Sequence, residues 1–380
     1  YNNFEIKNKN VFWFIIGFTE YIYRDTLEPL FDFIKKTEYD IQPIKIKNLL
    51  NQELNVNKIE LLKEYRSLNK EINKSKKYLL DNGLLELGKK QKIVTNEEFL
   101  LIIYWIYNIL ISKLKYDTLI TLRNLNYYKP EIIISGDMAD SRNRLYLLFA
   151  KLFCIPTLDL QFGAYDESSI EWRFSISDKI GVWGEYFSEI FLNQMKIPIN
   201  KIEITGSPRF DYLYNIDTSK NKVEIESKSK KVILFASMYT QISSYDARYH
   251  LSLIDKFKLD LIGLIKKNKE ILLLIKPHPL ENISWIPNLE DFNNIRIIQS
   301  FKDIRDYISV CDVFVTFGST ATFDALLANK TVVSANYPGL VWWDDIFLKE
   351  KVTLPVSNLV ELSDYLCNNI DHNNILINEI

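Results

Sequence analysis

The stretch "DVFVTFGSTATFDALLANKTVV", residues 312–333, decides the fold. Val313 to Phe317 form a nearly unbroken apolar run, as a strand does when both its faces are covered. Gly318, Ser319 and Thr320 then supply a turn of small and hydroxyl residues, and apolar positions return at helical spacing through Leu327. Asn329-Lys330 breaks that helix and "TVV" opens the next strand. Strand, turn, helix and strand in so short a span is the repeating unit of a parallel α/β sheet.

The same alternation extends in both directions. Toward the N-terminus lie "KVILFAS" (231–237), a helix near 250–267, "EILLLIKPHP", "IRIIQS" and a helix near 302–310; "TVVSANYPG" follows. A separate series occupies the first half: "NVFWFIIGF" (10–18), "TLEPLFDFIKK", "DIQPIKI", "PEIIISGD" (130–137), "RNRLYLLFAKLF", "IPTLDLQFG" (155–163), "DKIGVWG" and "KIEITGSPRFDYL". The reading is α/β, GT-B-like: two doubly wound Rossmann-like domains with a helical insertion in the first. The N-terminal, acceptor-side domain covers 1–213, with the insertion at about 55–128, where charge and helically spaced Leu and Ile replace the strand pattern. The lysine-rich segment 214–230 reads as a linker, and 231–380 as the donor-binding domain.

Composition narrows the function. Apolar residues make up 47% and charged residues 25%, with a net charge of −2, so nothing calls for nucleic acid as a partner. Three scattered cysteines form neither a metal pattern nor a paired set, which points to a reducing compartment. The apolar run "FLLIIYWIYNILI", 99–111, is short of the roughly 20 residues of a spanning helix. A cytoplasmic protein is expected, with peripheral contact at the inner face of the membrane as a further option. The chain begins at Tyr1 rather than Met, which is expected of a processed chain or of one part of a longer synthase. No G-x-G-x-x-G and no P-loop is present.

In doubly wound sheets ligands sit beyond the carboxyl ends of the strands, so the site's chemistry is expected at those ends. Lys276 and His278 follow "ILLLI", with Pro277 and Pro279 stiffening the loop on both sides of the histidine. Such a histidine suits a phosphate oxygen, with Lys276 adding charge; a strand-end cap is the alternative. Gly318, Ser319 and Thr320 fall at a helix start, where backbone N–H groups and hydroxyls can hold an anion or simply cap the helix, and Asp324 follows one turn later. Asp246, in the polar stretch "SMYTQISSYDARYH", is a candidate nucleophile or base on a loop. Asp137 and Asp140 follow one first-half strand, and Gln161, Asp166, Glu167 and Glu171 follow the next, as candidates on the acceptor side. Arg209 sits in the tight turn "GSPRFD" as a hinge residue or a phosphate contact.

In order, "QFG", "VWG", "GSPRFD", "KPHP" and "FGSTATFDALLANKTVV" resemble bacterial surface-polysaccharide transferases of GT-B architecture. The likeness extends to the β-Kdo transferases of capsule and lipopolysaccharide and, more distantly, to teichoic-acid glycerophosphotransferases. It implies that Lys276, His278, Ser319 and Thr320 hold the donor phosphate, and that the donor is a pyrimidine nucleotide, CMP-linked by preference. Glycerophosphotransferases usually carry a catalytic histidine before the glycine, where this chain has Gln161-Phe162-Gly163. That departure favours glycosyl transfer to a glycan or glycolipid acceptor, with Glu171 and Asp246 as acid/base and nucleophile. The alternatives are a CDP-donor glycerophosphotransferase and a non-catalytic nucleotide- or glycan-binding module. Without an Asp-x-Asp motif, neither a metal nor a separate cofactor is expected.

Overall fold

The structure is a computed structural model. It describes residues 11–18, 23–37, 41–46, 58–81, 111–137, 140–165, 170–214, 231–237, 245–278, 281, 286, 292–338 and 346–367. The chain divides into two compact units, one made of 1–162 and 169–209, the other of 163–168 and 210–380. Of the segment 214–230 read as the linker, Tyr214 ends the helix Pro208–Tyr214, and 215–230 lie outside the described residues.

In the first unit six strands form one sheet: β1 (Val11–Ile16), β2 (Ile41–Ile46), β3 (Ile132–Ser135), β4 (Thr157–Leu160), β5 (Lys179–Val182) and β6 (Ile202–Ile204). Their order is β2-β1-β3-β4-β5-β6, with every pairing parallel. Parallel strands need crossovers, and helices supply them. Among these are α1 (Glu28–Lys36), α2 (Lys58–Asp81), α3 (Ile111–Tyr128) and α4 (Ser141–Leu152). Helices α2 and α3 fall in the expected insertion and pack on each other, joined by Arg123 to Glu64 and Lys115 to Asn69. The apolar run 99–110 lies outside the described residues. No described helix is long and apolar enough to cross a membrane.

The second unit holds β7 (Lys231–Ala236), β8 (Ile271–Lys276), β9 (Ile295–Ile297), β10 (Val313–Thr316), β11 (Thr331–Ala335) and β12 (Leu354–Val356). The order is β12-β11-β10-β7-β8-β9, again all parallel. Numbered within the unit, this is the 3-2-1-4-5-6 order of nucleotide-binding sheets, and it reverses direction between β7 and β10. Its helices include α5 (Tyr245–Lys267), α6 (Ala321–Leu327) and α7 (Leu359–Cys367). Every residue of β8, β10 and β11 is buried, which explains their unbroken apolar reading.

Helix α5 is held to the sheet by an aromatic cluster. Phe257 meets Phe235, Phe317 and Tyr337 with ring centroids at 6.0, 5.1 and 5.3 Å. Each such contact contributes about 0.5–1.5 kcal/mol beyond area burial. The cluster fixes Phe317, the residue before Gly318. Helix α6 stops at Asn329, which adopts φ 53° and lets Lys330 N donate to the Ala325 carbonyl. Asparagine tolerates that left-handed geometry, so the chain can turn at once into β11.

Candidate functional site

The carboxyl edge of the second sheet, beside its reversal point, brings together Ser237 after β7, Lys276 to His278 after β8, and Phe317 to Thr320 after β10. This edge is where the strand order predicts a ligand. The sequence-predicted donor residues converge there because three strands end at one level.

Lys276 is 6% exposed, and its ammonium donates to the Ser300 carbonyl at 2.7 Å. It therefore ties the β8 loop to the segment after β9 while keeping its charge beside His278. His278 is half-buried. Burial pushes its imidazole below the usual histidine range; the Glu281 carboxylate opposes that shift and Lys276 reinforces it. The lowered value favours the neutral imidazole, which has one N–H to donate.

One group at this edge has no sequence signature. Glu281 Oε1 accepts from Lys258 Nζ at 2.6 Å and from Ser237 Oγ at 2.7 Å, and Oε2 accepts from the His278 amide at 3.1 Å. The Glu281 amide donates back to the His278 carbonyl at 2.9 Å. Both members of the ion pair have side chains only 5% exposed.

At the β10 end, Gly318 adopts φ 85°, a conformation that a side chain would strain. Ser319 N donates to Thr316 Oγ1 at 3.0 Å, and Ser319 Oγ accepts from Ala321 N at 3.3 Å. The serine thus caps α6, and Thr320, the residue just before the helix, makes no capping bond with its own side chain. Asp324 is 0% exposed and lies inside the unit rather than on its open edge. Gly163 belongs to this unit, and a Cβ built on it would lie 3.8 Å from Thr320 Oγ1. The glycine of "QFG" and the "GST" turn are therefore neighbours.

Asp246, expected on a loop, is the second residue of α5, which begins at Tyr245. Glu171 lies in the short 3-10 helix Ile170–Phe174. Asp166 and Glu167 are outside the described residues.

The remaining first-unit candidates have structural partners. Asp140 caps α4 by accepting from Arg142 N at 2.8 Å and pairs with the Arg142 guanidinium. Asp137 is buried; its side chain accepts from Asp140 N at 3.2 Å and its carbonyl from Asn143 Nδ2. Gln161 is buried, its Oε1 accepting from Trp183 N and its carbonyl from Trp183 Nε1, both at 2.9 Å. "QFG" and "VWG" are thereby stitched together. "GSPRFD" begins a helix, Pro208–Tyr214, and Arg209 is paired with buried Asp25 at 3.3 Å. Strand β4 of this unit carries a further unpredicted acid. Asp159 is fully buried, with Ser177 Oγ at 3.5 Å and no hydrogen bond to its second oxygen. Burial, aided by nearby Asp137, lifts its carboxyl to about 8; Ser135, Ser177 and Arg144 offset part of that rise.

The family described as CDP-glycerol:poly(glycerophosphate) glycerophosphotransferase matches residues 162–338, the span that carries Gly163, Lys276, His278 and the Gly318–Thr320 turn. A teichoic acid poly(ribitol-phosphate) polymerase of Bacillus spizizenii is 28% identical over 169 residues, 42% of this chain. The alignment spans only 26% of that relative's length. In fold, the chain is similar to the UDP-GlcNAc 2-epimerase of Neisseria meningitidis solved with UDP-GlcNAc (TM-score 0.58, 15% identity, 94% of this chain and 90% of that one). It is also similar to the Methanocaldococcus jannaschii UDP-GlcNAc 2-epimerase solved with UDP-GlcNAc and UDP (TM-score 0.54, 13% identity, 94% and 93%). The fold is GT-B-like, with two Rossmann-like units and a helical insertion in the first.

Proposed function

We propose that this chain transfers a phosphopolyol, such as glycerol phosphate, from a CDP-linked donor to a hydroxyl of a growing surface polymer. The observation that carries the reading is the glycerophosphotransferase match over 162–338, which spans the β8 and β10 strand ends where the candidate phosphate residues gather. This reverses the ranking drawn from the sequence, in which Gln161 in place of a histidine favoured glycosyl transfer. The comparisons support the phosphoryl-linked alternative better than transfer of an acidic sugar from a CMP donor. Glycosyl transfer from a nucleotide sugar stays as the second reading, favoured by the GT-B-like fold.

In the proposed reaction the acceptor oxygen bonds to the donor's β-phosphorus. The bond from that phosphorus to the bridging oxygen breaks, and CMP leaves carrying the electron pair. Charge grows on the leaving phosphate, where the His278 N–H, the nearby Lys276 ammonium and the Ser319-Thr320 turn are suited to stabilise it. The acceptor proton passes to a carboxylate, for which Asp246 and Glu171 are the candidates. The donor is the only small molecule the reading needs, and we expect turnover to survive a chelator.

The test is CMP release from CDP-glycerol in the presence of a polyol-phosphate acceptor, against CMP-, UDP- and GDP-sugars. His278→Ala is expected to lower turnover by roughly 10²–10³-fold with the fold intact. Near-normal turnover in that variant would remove His278 from the phosphate site. Turnover with a CMP-sugar alone would reinstate the second reading.

A further inference from the structure

We propose that Glu281 is a positioning residue: its carboxylate clamps the Lys-Pro-His-Pro loop from behind and sets where the His278 imidazole is held. The inference rests on the reading of His278 as the donor-phosphate group.

The clamp joins three elements of one unit. Ser237 follows β7, Lys258 projects from α5, and His278 follows β8. Two hydrogen bonds of opposite direction run between Glu281 and the His278 backbone, at 3.1 and 2.9 Å. Pro277 stiffens the loop on its N-terminal side, and Lys276 is fastened to the Ser300 carbonyl. The histidine backbone is therefore held from both sides.

A buried ion pair is a costly way to brace a loop. Apolar residues of like volume often stabilise a fold as well or better, because both charges must leave water. Lys258 and Glu281 each expose only 5% of their side chains, so the pair brings little net stability. What it supplies is directionality: with one carboxylate oxygen fixed by Lys258 and Ser237, the other is turned to the His278 amide. The charged groups that act on the imidazole are Glu281 and Lys276, with Lys258 neutralising Glu281 from the far side. In a phosphoryl transfer carried by positioned donors, misplacing one by about 1 Å costs up to roughly 100-fold.

Two variants test this in the full chain. Glu281→Gln keeps an acceptor oxygen for the His278 amide and removes the charge. Lys258→Met with Glu281→Met removes both charges together, so no buried charge is left alone, and removes the acceptor as well. Thermal unfolding establishes that each is folded. Amide hydrogen exchange at His278 and the kcat for CMP release from CDP-glycerol are then read. The double variant is expected to exchange at His278 roughly tenfold faster or more and to lose about 10–100-fold in kcat with little change in KM. Glu281→Gln should fall between it and the native chain. A folded double variant with native exchange at His278 and native kcat overturns the proposal. If His278→Ala retains turnover, the functional reading of His278 fails instead, and the exchange arm still decides whether Glu281 clamps the loop.

Discussion

Asp159→Asn should flatten the pH dependence of stability. The carboxyl is fully buried in β4, and its folded value of about 8 stands well above the ordinary 3.8. A raised value means that the fold prefers the protonated acid. The contribution is therefore complete below about pH 4, where both states bind the proton, and is lost as pH rises toward about 8. Between those limits the unfolded chain releases a proton that the native chain keeps, and stability falls by about 1.4 kcal/mol per pH unit from this group alone. Asparagine matches the acid in shape and never ionises. The variant should thus unfold at higher urea than the native protein near pH 7, by on the order of a few kcal/mol once about 1 kcal/mol is allowed for an imperfect hydrogen bond. The gap should close steadily as pH is lowered. Urea unfolding followed by circular dichroism, at intervals from about pH 5 to about pH 8, measures it. Parallel stability curves for the two proteins across that range would refute the reasoning, since they would mean that Asp159 is ionised in the fold.

Two further substitutions follow from the first unit. A Cβ on Gly181 would lie 2.8 Å from both Leu160 Cδ2 and Thr205 Oγ1, so Gly181→Ala should destabilise by about 1–3 kcal/mol in a urea melt. Arg209→Met removes the guanidinium paired with buried Asp25 and should cost up to about 3–5 kcal/mol, whereas Arg209→Met with Asp25→Leu should recover most of it. If CDP affinity by calorimetry falls in that restored double variant, Arg209 contacts the donor as well as Asp25.

The architecture was legible because parallel strands covered on both faces leave continuous apolar runs, and β7, β8, β10 and β11 are of that kind. The last βα pair was missed. Strand β12 has three residues with Pro355 in the middle, too short and too broken to carry a pattern. The start of α5 was placed late because its first turn, "YDARYH", is polar. At the site, residues flanked by prolines or glycine announced themselves. Glu281 did not, because its meaning lies in Lys258 and Ser237, 23 and 44 positions away in the chain. Asp159 was hidden for a related reason: inside "TLDL" it reads as a break in a strand, and only the neighbouring strand and Ser177 show that it is enclosed.

The Glu281 clamp also bears on when the site forms. Ser237, Lys258, His278 and Glu281 all come from the first strand–helix–strand crossover of the second unit. Contacts of such short range close early, because little chain entropy is lost in making them. The "GST" turn waits for β10, whose Asp312 accepts from Val232 N across 80 positions. On a ribosome the His278 loop would therefore be braced while the opposite wall of the site was still being synthesised. Loosening the clamp should therefore slow formation of the β7–β8 pair more than the docking of β10.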